Sequence, residues 1–286
     1  MRVLVAAIAL LAFGAGQVEL PDPATGSVDG KVALLLWPQA DDRLLDPAGC
    51  VVHVAGDWGR GAERRHACGE WFVPGPAGAY LTWLEQGDTI SAGTSLVHYG
   101  AEPFRGRGAV SLHRMVPAGY VALANEARGG AATLRLFSGQ REGSLQPFER
   151  RASLNELSAP LRMPEGPLIA ALYDAADQPL ALARPVRVEA GKRVIVAPRL
   201  PSPGGAVLFS LQRSHRSYPA AKLTLEQEGR RSEPDVMQES SARVVAIWYS
   251  VPGGEATLRF EGDGLPKSPA KVNVERGKVA LLRERL

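Results

Sequence analysis

The chain has 286 residues, with 45% hydrophobic and 22% charged side chains and a formal net charge of +3. Those proportions suit a chain that buries a core and exclude a disordered polyelectrolyte. The basic excess is slight, and the Arg-Arg pairs at 64–65, 150–151 and 230–231 are scattered rather than clustered, which argues against a nucleic-acid partner.

The first residues read as a targeting signal. Met1-Arg2 is a short basic start, Val3 to Phe13 an unbroken apolar run, and Gly14-Ala15-Gly16 a set of small residues for cleavage. The run is too short to span a membrane, so residues 1–16 are expected to be a signal peptide. No later stretch reaches the ~20 apolar residues of a spanning helix, so no further transmembrane segment is expected. The mature chain is expected to be exported, either periplasmic or extracellular at the cell surface.

After a Pro-rich linker at Leu20–Pro23, short extended segments follow one another. Lys31–Trp37 predicts a strand ended by Pro38. Cys50–Ala55 is a β-branched run, and Glu70–Val73 a strand leading to Pro74-Gly75. Ala79–Leu84, Ser95–Tyr99 and Ala109–Leu112 complete a first unit, 27–113. A second unit, 114–199, opens at Val116-Pro117-Ala118-Gly119. It carries strands at Tyr120–Leu123, Ala131–Phe137 and Leu161–Met163, then the turn at Pro164 and three more strands; a short helix is expected near Leu154–Leu157. A third unit, 200–286, opens at Pro201–Gly205. Its strands include Lys222–Glu226, where apolar and charged residues alternate as on a half-exposed sheet, and the apolar Arg243–Val251.

A phrase recurs. Met163-Pro164-Glu165-Gly166 with Val186-Arg187-Val188-Glu189-Ala190-Gly191 returns as Val251-Pro252-Gly253-Gly254 with Val272-Asn273-Val274-Glu275-Arg276-Gly277. Val73-Pro74-Gly75 is a looser copy. The prolines lie 90 and 88 residues apart, the mark of an internal repeat. Short strands with turn signals between them and no sustained helical period predict an all-β fold of three tandem antiparallel β-sandwiches.

The order of these pieces resembles the carboxypeptidase regulatory-like domain, a prealbumin-like sandwich related to the Ig-like folds. The resemblance is carried by Gly30-Lys31-Val32, Pro47–Val54 and Pro74–Leu81 in the first unit. In the second it rests on Gly119-Tyr120-Val121, Gly129–Leu136 and Pro164–Leu172, and in the third on Gly205-Ala206-Val207, Pro219–Leu225 and Pro252–Leu258. The family's aromatic after the Pro-Gly turn is replaced by Leu168 and Ala256. The resemblance implies a non-catalytic module with no cofactor, in relatives often attached to surface proteins or enzymes and related in fold to starch-binding domains.

Cys50 and Cys68 are the only cysteines. An even count in an exported chain predicts a disulfide, here across a hairpin. In that hairpin His53 and His66 are expected to fall nearly opposite one another, with Asp57 and Glu63 near the tip, so a metal or acid–base site there is one reading and wet-face polarity the other. The five histidines offer no His-Glu-x-x-His spacing, and no nucleophile elbow or phosphate loop occurs. Trp58, beside Gly56 and Gly59, is a candidate for stacking on a ligand, whereas Trp37, Trp71, Trp83 and Trp248 are expected in the core. The functional expectation is a non-enzymatic binding or spacer module at the cell envelope, its partner an envelope protein or a polysaccharide. The alternatives are carbohydrate binding through exposed aromatics and a metal-dependent hydrolase using His53 and His66.

Overall fold

The structure, a computed structural model, describes residues 20–22, 27–28, 31–41, 43–56, 63–76, 78–91, 94–98, 109–124, 130–138, 149–155, 157, 159–212, 221–239, 243–262 and 265–285. The expected signal peptide, 1–16, and Trp58 lie outside the described residues. The chain is all-β. It begins with β1 (Ser27–Val28), β2 (Lys31–Val32), β3 (Leu34–Ala40), β4 (Arg43–Leu44), β5 (Val51–Ala55), β6 (Glu63–Ala67), β7 (Gly78–Gln86), β8 (Thr89–Ser91), β9 (Thr94–His98) and the long β10 (Ala109–Leu123). There follow β11 (Thr133–Ser138), β12 (Glu149–Ser153), β13 (Leu161–Pro164), β14 (Gly166–Tyr173), β15 (Pro179–Leu182), β16 (Val186–Val188) and β17 (Arg193–Val196). The last are β18 (Gly205–Gln212), β19 (Lys222–Gln227), β20 (Arg230–Ser232), β21 (Val236–Glu239), β22 (Arg243–Val251), β23 (Gly254–Glu261), β24 (Ala270–Val274) and β25 (Val279–Arg285).

One pairing recurs three times. β3 lies parallel to the first half of β10, the second half of β10 lies parallel to β17, and β18 lies parallel to β25. The other pairs between these strands are antiparallel. Residues 113 and 114, where the sequence places a boundary, are thus consecutive residues inside one strand. In the last third, β21-β22-β18-β25 faces β20-β19-β23-β24 across a core that includes Phe209, Leu223, Trp248, Leu258 and Val274. In the middle third, β10, β13 and β17 face the sheet of β11, β12, β14, β15 and β16. The first third differs. Its layers belong to one sheet, curled over through the short β8, which pairs with both β7 and β10. Leu36, Val52, Val54, Leu84 and Met115 pack inside the curl with the Cys50–Cys68 disulfide. Closing a loop of that length stabilises by ~3 kcal/mol.

Several expectations are corrected here. Pro38 does not end its strand: β3 continues to Ala40, because parallel pairing to β10 asks nothing of the missing N–H at Pro38. Glu70–Val73 forms only a single bridge, Leu34 to Phe72. Leu154 and Asn155 form a turn rather than helix, and Leu154 caps the core.

The repeated Pro-Gly phrase is also not a simple reversal. It carries the chain from β13 to β14 and from β22 to β23, each time from one layer to the facing one. Gly75, Gly166 and Gly254 take φ of 141°, 144° and 129°, a region essentially reserved for glycine. The closing phrase packs against the opening one. Tyr120 N–H donates to Lys192 O and Ala206 N–H to Lys278 O, at 2.9 and 3.0 Å. A Cβ on Gly119 would lie 2.5 Å from Glu189 O, and one on Gly205 would lie 2.4 Å from Glu275 O. The repeat is therefore written in backbone contact.

Gly205→Ala is expected to destabilise by about 3 kcal/mol, because the obstacle is a backbone oxygen that cannot step aside. Gly277→Ala, at φ 72° but with open space around its Cβ, should cost only about 1 kcal/mol. Urea denaturation of the two variants checks the difference.

Candidate functional site

The β5–β6 hairpin holds both sequence-predicted histidines, but its register separates them. Val52 pairs with His66 and His53 with Arg65. A slip of one residue moves a side chain to the other face of a sheet. His66 therefore stacks on Phe72 at 4.3 Å, on the face that carries the disulfide. His53 stacks on its cross-strand neighbour Trp83 at 5.0 Å, on the other face. The two do not share a site. Burial lowers the pKa of His66, with Arg64 adding to the effect and Glu70 opposing it. Among the described residues, no cluster of His, Cys, Asp and Glu has metal-binding geometry.

What His53 does join is a buried polar cluster that the sequence did not reveal. Its Nδ1 lies 2.8 Å from Glu63 Oε1, and Arg65 Nε donates to the same oxygen at 3.1 Å. Burial pushes the Glu63 carboxyl up, but the hydrogen bond and electrostatic pull of His53, the charge of Arg150 and the hydrogen bond from Arg65 outweigh it and hold the pKa at about 2. The ionised carboxylate only accepts, so His53 Nδ1 carries the proton between them. Glu85, two residues from Trp83 on β7, is the centre. Its Oε1 accepts from Arg150 Nη1 at 2.7 Å and Trp83 Nε1 at 3.4 Å. Its Oε2 accepts from Arg162 Nη1 at 3.3 Å. Arg150 Nη1 also donates to Arg162 O at 2.6 Å, and its guanidinium lies 5.6 Å from the centroid of the Trp83 ring. The cluster ties β5, β6 and β7 to β12 and β13. Its arrangement is that of paired charge, largely buried, bridging two layers.

His113 is separately buried on β10, with Nδ1 3.4 Å from Ser91 Oγ. Burial depresses its pKa to about 4. Of the tryptophans, Trp37 and Trp248 are buried with their indole N–H groups bonded to Leu45 O and Ser232 O. Trp83 is buried and Trp71 half-buried.

The middle and last thirds meet at a second junction. Ile169, Ala171 and Tyr173 of β14 pack on Leu208 of β18 and Ile247 of β22. Asp177 pairs with Arg135 and, at 2.8 Å, with Arg283. Tyr249 Oη donates to Ala183 O at 2.7 Å; burial raises its pKa to about 12, with Arg184 opposing the shift and Asp235 adding to it. Beside this junction lies a cleft of about 530 Å³ whose lining includes Val186, Ile195, Leu200, Tyr249, Arg184 and Arg199.

No protein-family model matches the chain, so the carboxypeptidase regulatory-like resemblance is not supported there, and no curated protein matches either. Solved structures do match. The TIE protein of Bacillus anthracis is 10% identical, with a TM-score of 0.21 over 89% of this chain and 50% of its own, so this chain spans half its length. A minor pilin of Streptococcus agalactiae is 11% identical, with a TM-score of 0.21 over 58% of this chain and 93% of its own. The major pilin subunit of Bacillus cereus is 9% identical, with a TM-score of 0.20 over 89% and 98%. Values this low assign neither family nor function.

Two predictions follow from the geometry. Glu85→Ala leaves the buried Arg150 cation uncompensated and is expected to cost about 3–5 kcal/mol; adding Arg150→Met should recover most of it, by urea denaturation. The folded pKa of His113 lies below its unfolded value of 6.5, so the unfolded chain binds more protons between the two. Stability should therefore fall by about 3 kcal/mol as pH drops from about 6.5 to about 4, a slope that His113→Asn removes. The Glu63 contribution is present above its unfolded value of 4.5 and is lost at lower pH, as pH falls towards about 2. Denaturation midpoints measured against pH separate the two windows.

Proposed function

We propose that this chain is an exported, non-enzymatic binding and spacing module at the cell envelope, periplasmic or at the cell surface, built from three β-sandwich units over 27–113, 114–199 and 200–286. The observation that carries the reading is continuity. The first two units share strand β10, and the second and third bury an apolar face and the Arg135–Asp177–Arg283 charges between them. A spacer must hold its parts at fixed separation, and such junctions supply this without a hinge. The apolar run Val3–Phe13 supports export. Membership of the carboxypeptidase regulatory-like family belongs to the same proposal and rests on the repeated Gly-x-Val and Val-x-Val-x-x-Gly phrases.

Expression of the full chain in a bacterial host, followed by fractionation and N-terminal sequencing, tests export. A mature start near Gln17 in the envelope or medium is expected, and loss of export when residues 1–16 are deleted. Uncleaved protein in the cytosol would defeat the reading. Titration of the exported protein with soluble polysaccharides should give no heat and no change in tryptophan fluorescence; a saturable signal would move the assignment to sugar binding, with Trp58 the first residue to replace.

A further inference from the structure

The cleft beside the second junction is lined by residues of β15, β16, β17, β18 and β22 and of the segments that join them. The chain leaves β17, crosses Ala197–Gly204 and enters β18. On the way, Arg199 and Leu182 exchange backbone hydrogen bonds at 3.0 and 3.1 Å, which fixes Arg199 at the rim. On the outward side of β17, Ile195 is 61% exposed, because Val194 and Val196 on either side of it turn into the core. Leu200 is 66% exposed between the buried Pro198 and Pro201. These are far more exposed than the other large apolar side chains on the described surface, Leu112 and Met237, and both line this cleft.

Its charge is one-sided. Arg184 and Arg199 line it, and none of the lining residues is acidic. The Arg184 guanidinium lies 4.4 Å from the centroid of the Tyr249 ring, which holds it over the cleft floor. Among the described residues no carboxylate forms an ion pair with either arginine. Other exposed cations vary: Arg187 meets Glu165, Arg259 meets Glu226 and Lys271 meets Glu255, whereas Arg193, Arg230 and Arg276 have no ion pair among the described residues, so what sets the cleft apart is the two arginines beside exposed apolar side chains. Two cations without acids, set beside two exposed aliphatic side chains, are complementary to a ligand that brings both a carboxylate and an apolar group.

We propose that this cleft docks a short acidic, apolar peptide segment of a protein partner, its aliphatic side chains on Ile195 and Leu200 and its carboxylates on Arg184 and Arg199. The proposal rests on the reading of the chain as a binding module, and names the face and the chemistry through which it binds. The volume lies within the range of sites that enclose a few side chains. The floor is held by the junction core and the rim by the Leu182–Arg199 bridge, so little ordering is needed on binding.

The test uses the full chain and a fluorescein-labelled peptide of alternating Glu and Leu, followed by fluorescence anisotropy. Saturable binding is expected. It should weaken about tenfold in Arg199→Glu and in Ile195→Ser, and in ~1 M salt, where screening shortens to about 3 Å. Both side chains are exposed, so the variants should keep the parent melting temperature, and that measurement separates loss of the site from loss of fold. The matching Lys-Leu peptide should not bind. Absence of saturation below ~1 mM, equal binding of the Lys-Leu peptide, or indifference to both substitutions would overturn the proposal. So would co-sedimentation with phosphatidylglycerol vesicles in place of peptide binding, or a dimer in sedimentation equilibrium that Ile195→Ser dissolves. None of these results bears on export or on the absence of sugar binding, so the broader reading stands or falls separately.

Discussion

The architecture depends on a single strand being used twice. Along β10 every stretch has a backbone partner: β3 from Ala109 to Arg114, β8 from Met115 to Pro117, β13 from Ala118 to Val121 and β17 from Tyr120 to Leu123. Fifteen residues of extended chain reach about 50 Å, so one rod of backbone serves as the end of one sheet system and the beginning of the next. Bending between them would break ladder hydrogen bonds rather than flex a loop. The core follows the backbone: Leu81, Trp83 and Ile90 of the first third pack in the same cluster as Val121, Leu134 and Leu172 of the second.

The second junction uses different physics. No strand crosses it. Two sheets meet face to face, which explains why Leu168–Tyr173 is buried at every residue rather than at alternate ones. Arg135 is almost wholly buried there, and a charge so placed needs a partner; Asp177 supplies it and turns outward to hold Arg283 as well. Face packing leaves an open margin where the connecting segment runs, and the cleft occupies that margin. The two junctions thus differ in kind, one closed by the continuity of a strand and one leaving a surface.

Much of this could be read from the residues. Turn residues and β-branched runs located most strands, and the parity of Cys50 and Cys68 predicted their bond. Repeated Pro, Gly and Val-x-Val positions correctly marked equivalent points, because those residues answer local demands: a φ only glycine adopts, or a backbone pressed against a missing Cβ. The failures share a cause. Val116-Pro117-Ala118-Gly119 has the composition of a turn, yet it is strand, because Gly119 is needed for close approach of Glu189 from 70 residues away rather than for a reversal. His53 and His66 do fall nearly opposite, but one residue out of register and so on opposite faces, and nothing in the sequence between them fixes that register. The Glu85 cluster draws on residues 53, 63, 83, 85, 150 and 162, and no local pattern announces such a convergence.

That cluster also bears on how the first two units are held together. Buried ion pairs add little net stability compared with well-packed apolar groups, and in some proteins they serve to reject alternative arrangements. Here the same face of β5 and β7 carries Ala55, Leu81 and Trp83, which could slide against many apolar partners. Glu85 cannot, since only one placement of β12 and β13 brings both Arg150 and Arg162 to its two oxygens. The first junction is therefore determined twice, by a shared backbone and by a charge match that tolerates no shift. The second junction carries a charge match of its own, Arg135 with Asp177 and Arg283, but no backbone strand shared across it among the described residues.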